Sequence, residues 1–393
     1  MMGFISFSWI ANTLFLFIFL YYGYHLYLFY RALKLEQKDL NTWSLLPDAQ
    51  SVSIIVCVRD GKEKISSLLD SILLQNIDLS RIEIIIANDG SSDGTEILLQ
   101  EYSITYKNIK YFNVLNRELA KSPKKNAITQ AIAQASNEII LLTDADCIVK
   151  PNWIRSHLAM YSIDSSTEMV VGFSQTHLVP NINNKLVQLF EHIDFKVLML
   201  TAQGAIQAGI PFSCSGQNIS YKKQSFDSVA GFSELDSYLS GDDILLMQKF
   251  HRAGKRIRFA AFACEFVETL PICNWFYLFN QRSRWASNLK VMFRMNKRFF
   301  LFLVASFLLF VVLPLINVYI YIFKLIADIL FIHNGLNYSL GKNENNNNSG
   351  EKKYVFLSYL LWYIITPLYM IIVFILGMFS IYRWGGRKGR SSL

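Results

Sequence analysis

Charge is missing where a soluble protein would carry it. Residues 4–30 contain no Asp, Glu, Lys or Arg, a stretch long enough to cross a bilayer. Charged residues make up only 17% of the chain against 52% hydrophobic, and the apolar excess lies at the two ends. Cysteine is also scarce. The five cysteines form no Cys-x-x-Cys pair, and the six histidines show no ligand spacing with them. This pattern points away from both a zinc site and a disulfide framework. No internal repeat is visible. The soluble part lacks a stripe of Lys and Arg, so the formal charge of +8 does not indicate a nucleic-acid reader. The basic residues cluster instead beside apolar segments, at Lys290, Arg294, Lys297 and Arg298 and at Arg383, Arg387, Lys388 and Arg390.

What is present has a clear order. The N-terminal run lacks the basic start, shorter apolar core and small-residue cleavage site of a signal peptide, so it is expected to be a retained anchor. Arg31, Lys34 and Lys38 follow it and nothing basic precedes it, which puts the central region on the cytoplasmic side. Four regions are expected: 1–50 an anchor and linker, 51–274 a catalytic domain, 275–298 an aromatic and basic interfacial helix, and 299–393 a membrane region with a basic tail. Phe299–Phe323 and Tyr354–Tyr382 read as spans. Lys324–Phe331 is ambiguous, because Lys324 and Asp328 stand i, i+4 on a helix. Three spans in all keep the basic tail inside, and three is the expectation. Lys342–Gly350 reads as an Asn-rich loop.

Between 51 and 270 strands alternate with helices. Ser51–Val58, Ile82–Ala87, Ile109–Leu115 and Glu138–Thr143 are apolar runs of strand length, and Met169–His177 and Arg256–Phe262 follow as further strands. Helical patterns cover Ile65–Leu73, Asn126–Ala135, Asn184–Ala202 and Asp243–Ala253. This rhythm predicts an α/β fold, a parallel sheet covered by helices. Ligands of such sheets bind beyond the carboxyl ends of the strands. Asp89 and Asp146 both lie just past predicted strand ends, so both can face one crevice.

Three carboxylate turns and one later string carry the chemistry. Asp144 and Asp146 flank one small residue, a spacing suited to Mg²⁺ or Mn²⁺, which take one or two carboxylates plus ligand phosphates. An acidic turn that merely stops the strand is the plain alternative. In Asn88-Asp89-Gly90-Ser91-Ser92-Asp93-Gly94-Thr95, Asp93 is the expected cap of the next helix, whereas Asp89 can accept a hydrogen bond from a base or ribose. Asp242-Asp243 opens a helix; one of the pair caps it and the other is a candidate general base. Gln281-Arg282-Ser283-Arg284-Trp285 is the last feature. Arg282 is explained by snorkelling from an interfacial helix, while Arg284 offers a planar fork for diphosphate and Trp285 a flat face for a sugar ring.

In this order the motifs resemble the family-2 inverting glycosyltransferases, in the membrane branch that includes cellulose, chitin and hyaluronan synthases and ceramide glucosyltransferase. The resemblance spans about residues 51–290. It implies a Rossmann-like domain of the GT-A type that uses a nucleotide-diphosphate sugar, a UDP-sugar first of all, with Mg²⁺ or Mn²⁺. By analogy Asp89 contacts the nucleoside, Asp144 the nucleotide, and Asp146, with Asp144, the metal. Asp243 is the acceptor base and Asp242 lies beside the acceptor. Gln281, Arg284 and Trp285 match the Gln-x-x-Arg-Trp motif at the acceptor and diphosphate end. Lys124-Lys125-Asn126-Ala127 is similar to the family's Lys-rich segment, which makes Lys125 a phosphate contact. Gly216-Gln217-Asn218 looks like the loop before the acceptor-side strand. Asn88 departs from the pattern where many members carry Asp, and Asp60-Gly61 where Asn-Glu is usual. The few spans favour a lipid or lipid-linked saccharide acceptor over a polymer synthase. A two-carboxylate hydrolase and a small membrane transporter or scaffold are the readings from other classes.

Overall fold

The computed structural model describes residues 2–36, 50–117, 120–178, 184–260, 265–272, 274–339, 349–384 and 387–388. Most of the expected Asn-rich loop, the linker 37–49, the end of the Arg256–Phe262 strand and the tail beyond 388 lie outside these residues, as do Cys264 and Cys273. The chain divides into two units. One comprises residues 36–177 and 209–271; the other comprises residues 1–35, 178–208 and 272–393.

The first unit is an α/β layer structure. Its strands, in chain order, are β1 (Val52–Val58), β2 (Ile82–Asn88), β3 (Ile109–Asn113), β4 (Ile139–Asp144), β5 (Cys147–Val149), β6 (Thr167–Gly172), β7 (Ser174–Thr176), β8 (Ile219–Lys222), β9 (Arg256–Ala260) and β10 (Val267–Thr269). Seven of them form one sheet in the order β3-β2-β1-β4-β8-β6-β9, and β5-β10-β7 form a second. The four strands at the β3 edge are mutually parallel. All seven residues of β2 and all but one of β1 are buried, as befits parallel strands covered on both faces. The parallel sheet expected from the strand–helix rhythm is present in these four strands, and β8, antiparallel to both β4 and β6, makes the whole sheet mixed. Ile219–Lys222 is too short to announce itself by periodicity.

Helices Ile65–Leu73, Thr95–Thr105, Pro123–Gln134, Trp153–Ile163 and Ile244–Arg252 belong to this unit. Ile65, Leu68, Leu69 and Ile72 are completely buried, the i, i+3, i+4, i+7 stripe that the sequence predicts. At the start of the parallel strands Glu83 binds four donors: the Ser53 hydroxyl, the Ser136 N–H at 2.8 Å, the Ser136 hydroxyl at 2.9 Å and the Lys110 ammonium at 2.9 Å. One carboxylate thereby ties β1, β2, β3 and the turn entering β4.

The second unit is helical. It includes Met2–Glu36, Lys185–Gln207, Trp275–Ala286, Leu289–Met295, Lys297–Phe307, Val318–Ser339 and Ser349–Met378. Lys185–Gln207 falls within the 51–274 region of the sequence reading, yet groups with these helices. Among the described residues four helices are long and apolar enough to cross a membrane: Trp9–Leu35, Lys297–Ile316, Val318–Ser339 and Ser358–Met378. Four candidates thus stand where three spans are expected. Asn317 has extended backbone (φ −148°, ψ 98°), and its side chain accepts from the N–H of Ile320 at 3.0 Å. It therefore ends one helix and caps the next, inside what reads as the single span Phe299–Phe323. Lys324 donates to Asp328 and, at 3.1 Å, to the Tyr363 hydroxyl, while Tyr22 donates to Asp328 at 2.9 Å. A buried ion pair with all these partners is tolerable in an apolar bundle.

Candidate active site

The register sets the geometry of the site. Across β1, Val58 pairs with Asn88 and Cys57 with Asp144, so Asp89 and Asp144 leave the same sheet edge two strand spacings apart, about 10 Å. The Asp89 N–H donates to the Val58 carbonyl at 2.8 Å, and its carboxylate receives Arg117 Nε at 2.8 Å. Gly90 sits beneath that guanidinium with φ +65°; a Cβ there would lie 1.7 Å from Arg117 Nη1. Glycine suits the positive φ, and any side chain there would displace the Arg117 guanidinium. Gly94 occupies the N-cap position of Thr95–Thr105, and Asp93, just before it, accepts from the N–H of Thr95, the first helical residue, and, at 3.0 Å, from the Lys62 N–H. Its carboxyl is held below the usual range first by the Thr95 hydroxyl.

Lys124 joins the acidic turns. It stands in the first turn of Pro123–Gln134 and its ammonium lies 2.8 Å from Asp144 and 3.0 Å from Asp242. Those two carboxylates hold its pKa well above the ordinary lysine value against the desolvation that would lower it. Lys125 behaves differently. Its side chain is 2% exposed, and its three donors go to the carbonyls of Leu235 at 2.9 Å, Tyr238 at 2.6 Å and Ser240 at 3.0 Å. Burial lowers its pKa to about 8. The expectation that Lys125 contacts phosphate is corrected: an ammonium with three committed donors has none left. It braces the loop leading into Asp242, and Lys124 is the cation facing the site. Helical spacing carries this signal, since Lys125 is in line with the buried Ile128 and Ile132.

Asp243, rather than Asp242, caps Ile244–Arg252. It accepts from the Ile244 N–H at 2.6 Å and the Gly216 N–H at 2.8 Å. Its pKa is raised, chiefly by burial and then by the charge of Asp242. Asp146 is raised by burial and by Asp144. Beneath the edge, burial pushes the Cys57 thiol up to about 12, so it stays protonated. The loop that supplies Gly216 is pinned by Asn218, whose side chain accepts from Trp153 Nε1 at 2.8 Å and His157 Nε2 at 2.7 Å and donates to the Phe173 carbonyl at 2.8 Å. Burial depresses His157 to about 4. Sequence reasoning missed Trp153 and His157, because a polar residue buried among apolar ones has no periodic mark.

Among the described residues no cluster of three or more His, Cys, Asp or Glu forms a ready-made ion cage. The donors that are present, Asp144 and Asp146 at one strand end, fit an ion whose remaining ligands are water and phosphate oxygens, the usual habit of Mg²⁺.

Residues 53–229 match the model of glycosyl transferase family 2. This chain carries a family-2 glycosyltransferase domain. It is similar to the poly-beta-1,6-N-acetyl-D-glucosamine synthase of Staphylococcus aureus strain COL, 27% identical over 261 residues, or 64% of this chain and 56% of the relative. The strain MSSA476 synthase is 26% identical over the same length. The chain thus spans about half the length of the curated relatives it matches. Its structure resembles the mannosyltransferase PcManGT from Pyrobaculum calidifontis, solved with GDP-Man and Mn²⁺. The TM-score is 0.53 at 15% identity, over 92% of this chain and 98% of that one. That likeness establishes the GT-A type of fold for the glycosyltransferase domain.

The remaining sequence-predicted residues lie in the helical unit. Gln281, Arg284 and Trp285 are on Trp275–Ala286 and partly exposed. Arg282 is not the snorkelling residue of the sequence reading. It is 3% exposed and pairs through Nε with Asp194 at 3.1 Å. Glu191, one turn before Asp194, is pushed up to about 7 by burial.

Proposed function

We propose that the protein is an inverting glycosyltransferase that moves a sugar from a nucleotide-diphosphate donor to a membrane-associated acceptor. One observation carries the reading. Lys124 joins Asp144 at a strand end to Asp242, the neighbour of Asp243, so the nucleotide-side and base-side carboxylates form one charged cluster. In this mechanism Asp89 engages the nucleoside and Asp144 the nucleotide. The acceptor oxygen attacks the anomeric carbon from the face opposite the leaving group. The bond from that carbon to the diphosphate oxygen breaks, and the acceptor proton passes to the Asp243 carboxylate. A raised pKa suits Asp243 for this, because a stronger base takes the proton more readily near neutrality. Lys124 supplies positive charge to the departing diphosphate, a task the family resemblance also assigns to Arg284. Mg²⁺ or Mn²⁺, held by Asp144 and Asp146, would neutralise charge on that diphosphate as a Lewis acid. The family resemblance assigns Gln281 and Trp285 to the acceptor.

The donor proposed first is UDP-N-acetylglucosamine, since the S. aureus relatives are named for a polymer of that sugar. The same name favours a second reading, repeated addition to a growing glycan. We propose a lipid or lipid-linked saccharide as the acceptor, in keeping with the candidate spans found among the described residues. The α/β unit is proposed to face the cytoplasm, where nucleotide sugars are made.

The test incubates membranes with labelled nucleotide sugars and Mg²⁺ or Mn²⁺, then extracts with chloroform to separate lipid product from polymer. Label in the chloroform phase supports the lipid acceptor, and label retained in polymer supports the second reading. No incorporation from any donor removes both, and metal-independent cleavage of a simple glycoside would point to a hydrolase. Asp243→Asn should lower transfer about 10²- to 10⁴-fold while nucleotide affinity stays within a few fold. Transfer in the wild type should fall on acidification through the elevated Asp243 pKa. An acid limb at the ordinary carboxylate value in the wild type, or full turnover in the variant, would remove Asp243 from the role.

A further inference from the structure

Arg282 sits at the centre of the Gln281–Trp285 string. Its guanidinium carbon lies 4.0 Å from the centroid of the Trp285 ring and 5.8 Å from that of Phe195. Nη1 donates to the Gln281 side-chain oxygen at 2.6 Å, and Nε donates to Asp194 at 3.1 Å. Asp194 in turn receives Trp362 Nε1 at 3.3 Å and the Tyr369 hydroxyl at 3.3 Å. Three helices therefore converge on one carboxylate: Lys185–Gln207, Trp275–Ala286 and Ser349–Met378. The last two also touch closely, since a Cβ on Gly377 would lie 2.6 Å from the Ala286 Cβ. Gln281 and Trp285, four residues apart, share a helix face, and one planar cation holds both.

We infer that Arg282, anchored by Asp194, is a positioning residue that fixes the ring plane of Trp285 and the amide of Gln281 for the sugar acceptor. The inference rests on the reading of that string as acceptor-side. Arg282 does not touch substrate in this account. Its guanidinium fork meets Gln281 and Asp194 on two of its nitrogens while its flat face covers the indole. Lysine can supply the charge but not the plane. A stacking ring left to rotate loses orientation, and a misplacement of about 1 Å can cost on the order of 10²-fold in rate.

The experiment uses the full chain in lipid nanodiscs, with 5-fluorotryptophan incorporated and the Trp285 resonance assigned by Trp285→Phe. Three variants are compared: Arg282→Lys, Asp194→Asn, and the double variant Asp194→Asn/Arg282→Gln, which removes both charges of the buried pair together and guards against simple misfolding. The inference expects the Trp285 ¹⁹F signal to shift or broaden in all three. It also expects transfer from UDP-N-acetylglucosamine with Mn²⁺ to fall at least tenfold, while the affinity for UDP with Mn²⁺ stays within twofold. An unmoved Trp285 signal overturns the inference, as does wild-type transfer in Arg282→Lys and the double variant. An equal loss of nucleotide binding and transfer in all three also overturns it, since that is the mark of a merely structural pair. If the wild type uses no nucleotide sugar, the glycosyltransferase reading fails, and the ¹⁹F arm alone still decides whether Arg282 sets Trp285.

Discussion

Glu83→Gln tests whether the start of the sheet is stapled by charge. The native carboxylate is buried, which by itself would raise its pKa. Hydrogen bonds from Ser53, the Ser136 N–H, Lys110 and the Ser136 hydroxyl outweigh that and bring it from 4.5 to about 2. A shift of roughly 2.5 units corresponds to a ceiling of about 3.4 kcal/mol at 1.36 kcal/mol per unit. Lys110 is 61% exposed, so solvent screening discounts its share, leaving on the order of 2 kcal/mol. The sign follows from a depressed acid. The stabilisation is complete above the unfolded pKa near 4.5 and is lost as pH falls toward about 2. In a unit of this size about 2 kcal/mol moves Tm by roughly 4–8 °C. Thermal unfolding at pH 7, followed by circular dichroism in detergent, should show that gap between wild type and Glu83→Gln, and at pH 3 the gap should narrow. Glu83 lies six residues before Asp89, about 20 Å along the strand, so turnover of the folded fraction should not change. Equal Tm at pH 7, or a gap that persists undiminished at pH 3, would refute the reasoning.

The adjacent lysines should separate cleanly. Lys125→Met leaves three loop carbonyls without their donor and should lower stability by about 1–3 kcal/mol, with proteolysis appearing at residues 235–240. Lys124→Met should instead raise the KM for nucleotide sugar about tenfold or more, equivalent to about 1.4 kcal/mol, with little change in Tm; the reverse pattern would exchange their roles. Gly90→Ala places a methyl group where Arg117 now lies and should release Asp89, weakening nucleotide affinity severalfold in a binding titration, while Ser91→Ala serves as the neighbouring control.

Legibility along this chain followed the range of the interactions. The runs Val52–Val58, Ile82–Asn88 and Ile139–Asp144 are readable because a strand covered on both faces needs an unbroken apolar sequence. Their polar exits mark the sheet edge where Asp89 and Asp144 stand. The short antiparallel β8 and the buried His157–Asn218–Trp153 network leave no such trace. Asn317 could be read as one polar residue in a span until its backbone showed it ending one helix and capping another.

The sequence by itself determined the class of fold, the order of the carboxylate turns and the apolar segments at both ends, because these depend on local hydrophobicity and turn chemistry. Only the tertiary structure decided which member of each charged pair is committed to buried partners. Lys124 and Lys125 differ by one helical step, and Asp242 and Asp243 by one residue at a helix start. Arg282 and Arg284 differ by half a turn. In each pair the residues share an ordinary charge at neutral pH, and what separates them is the burial and the partners supplied by segments distant in the chain: residues 235–240 for Lys125, Gly216 for Asp243 and Asp194 for Arg282.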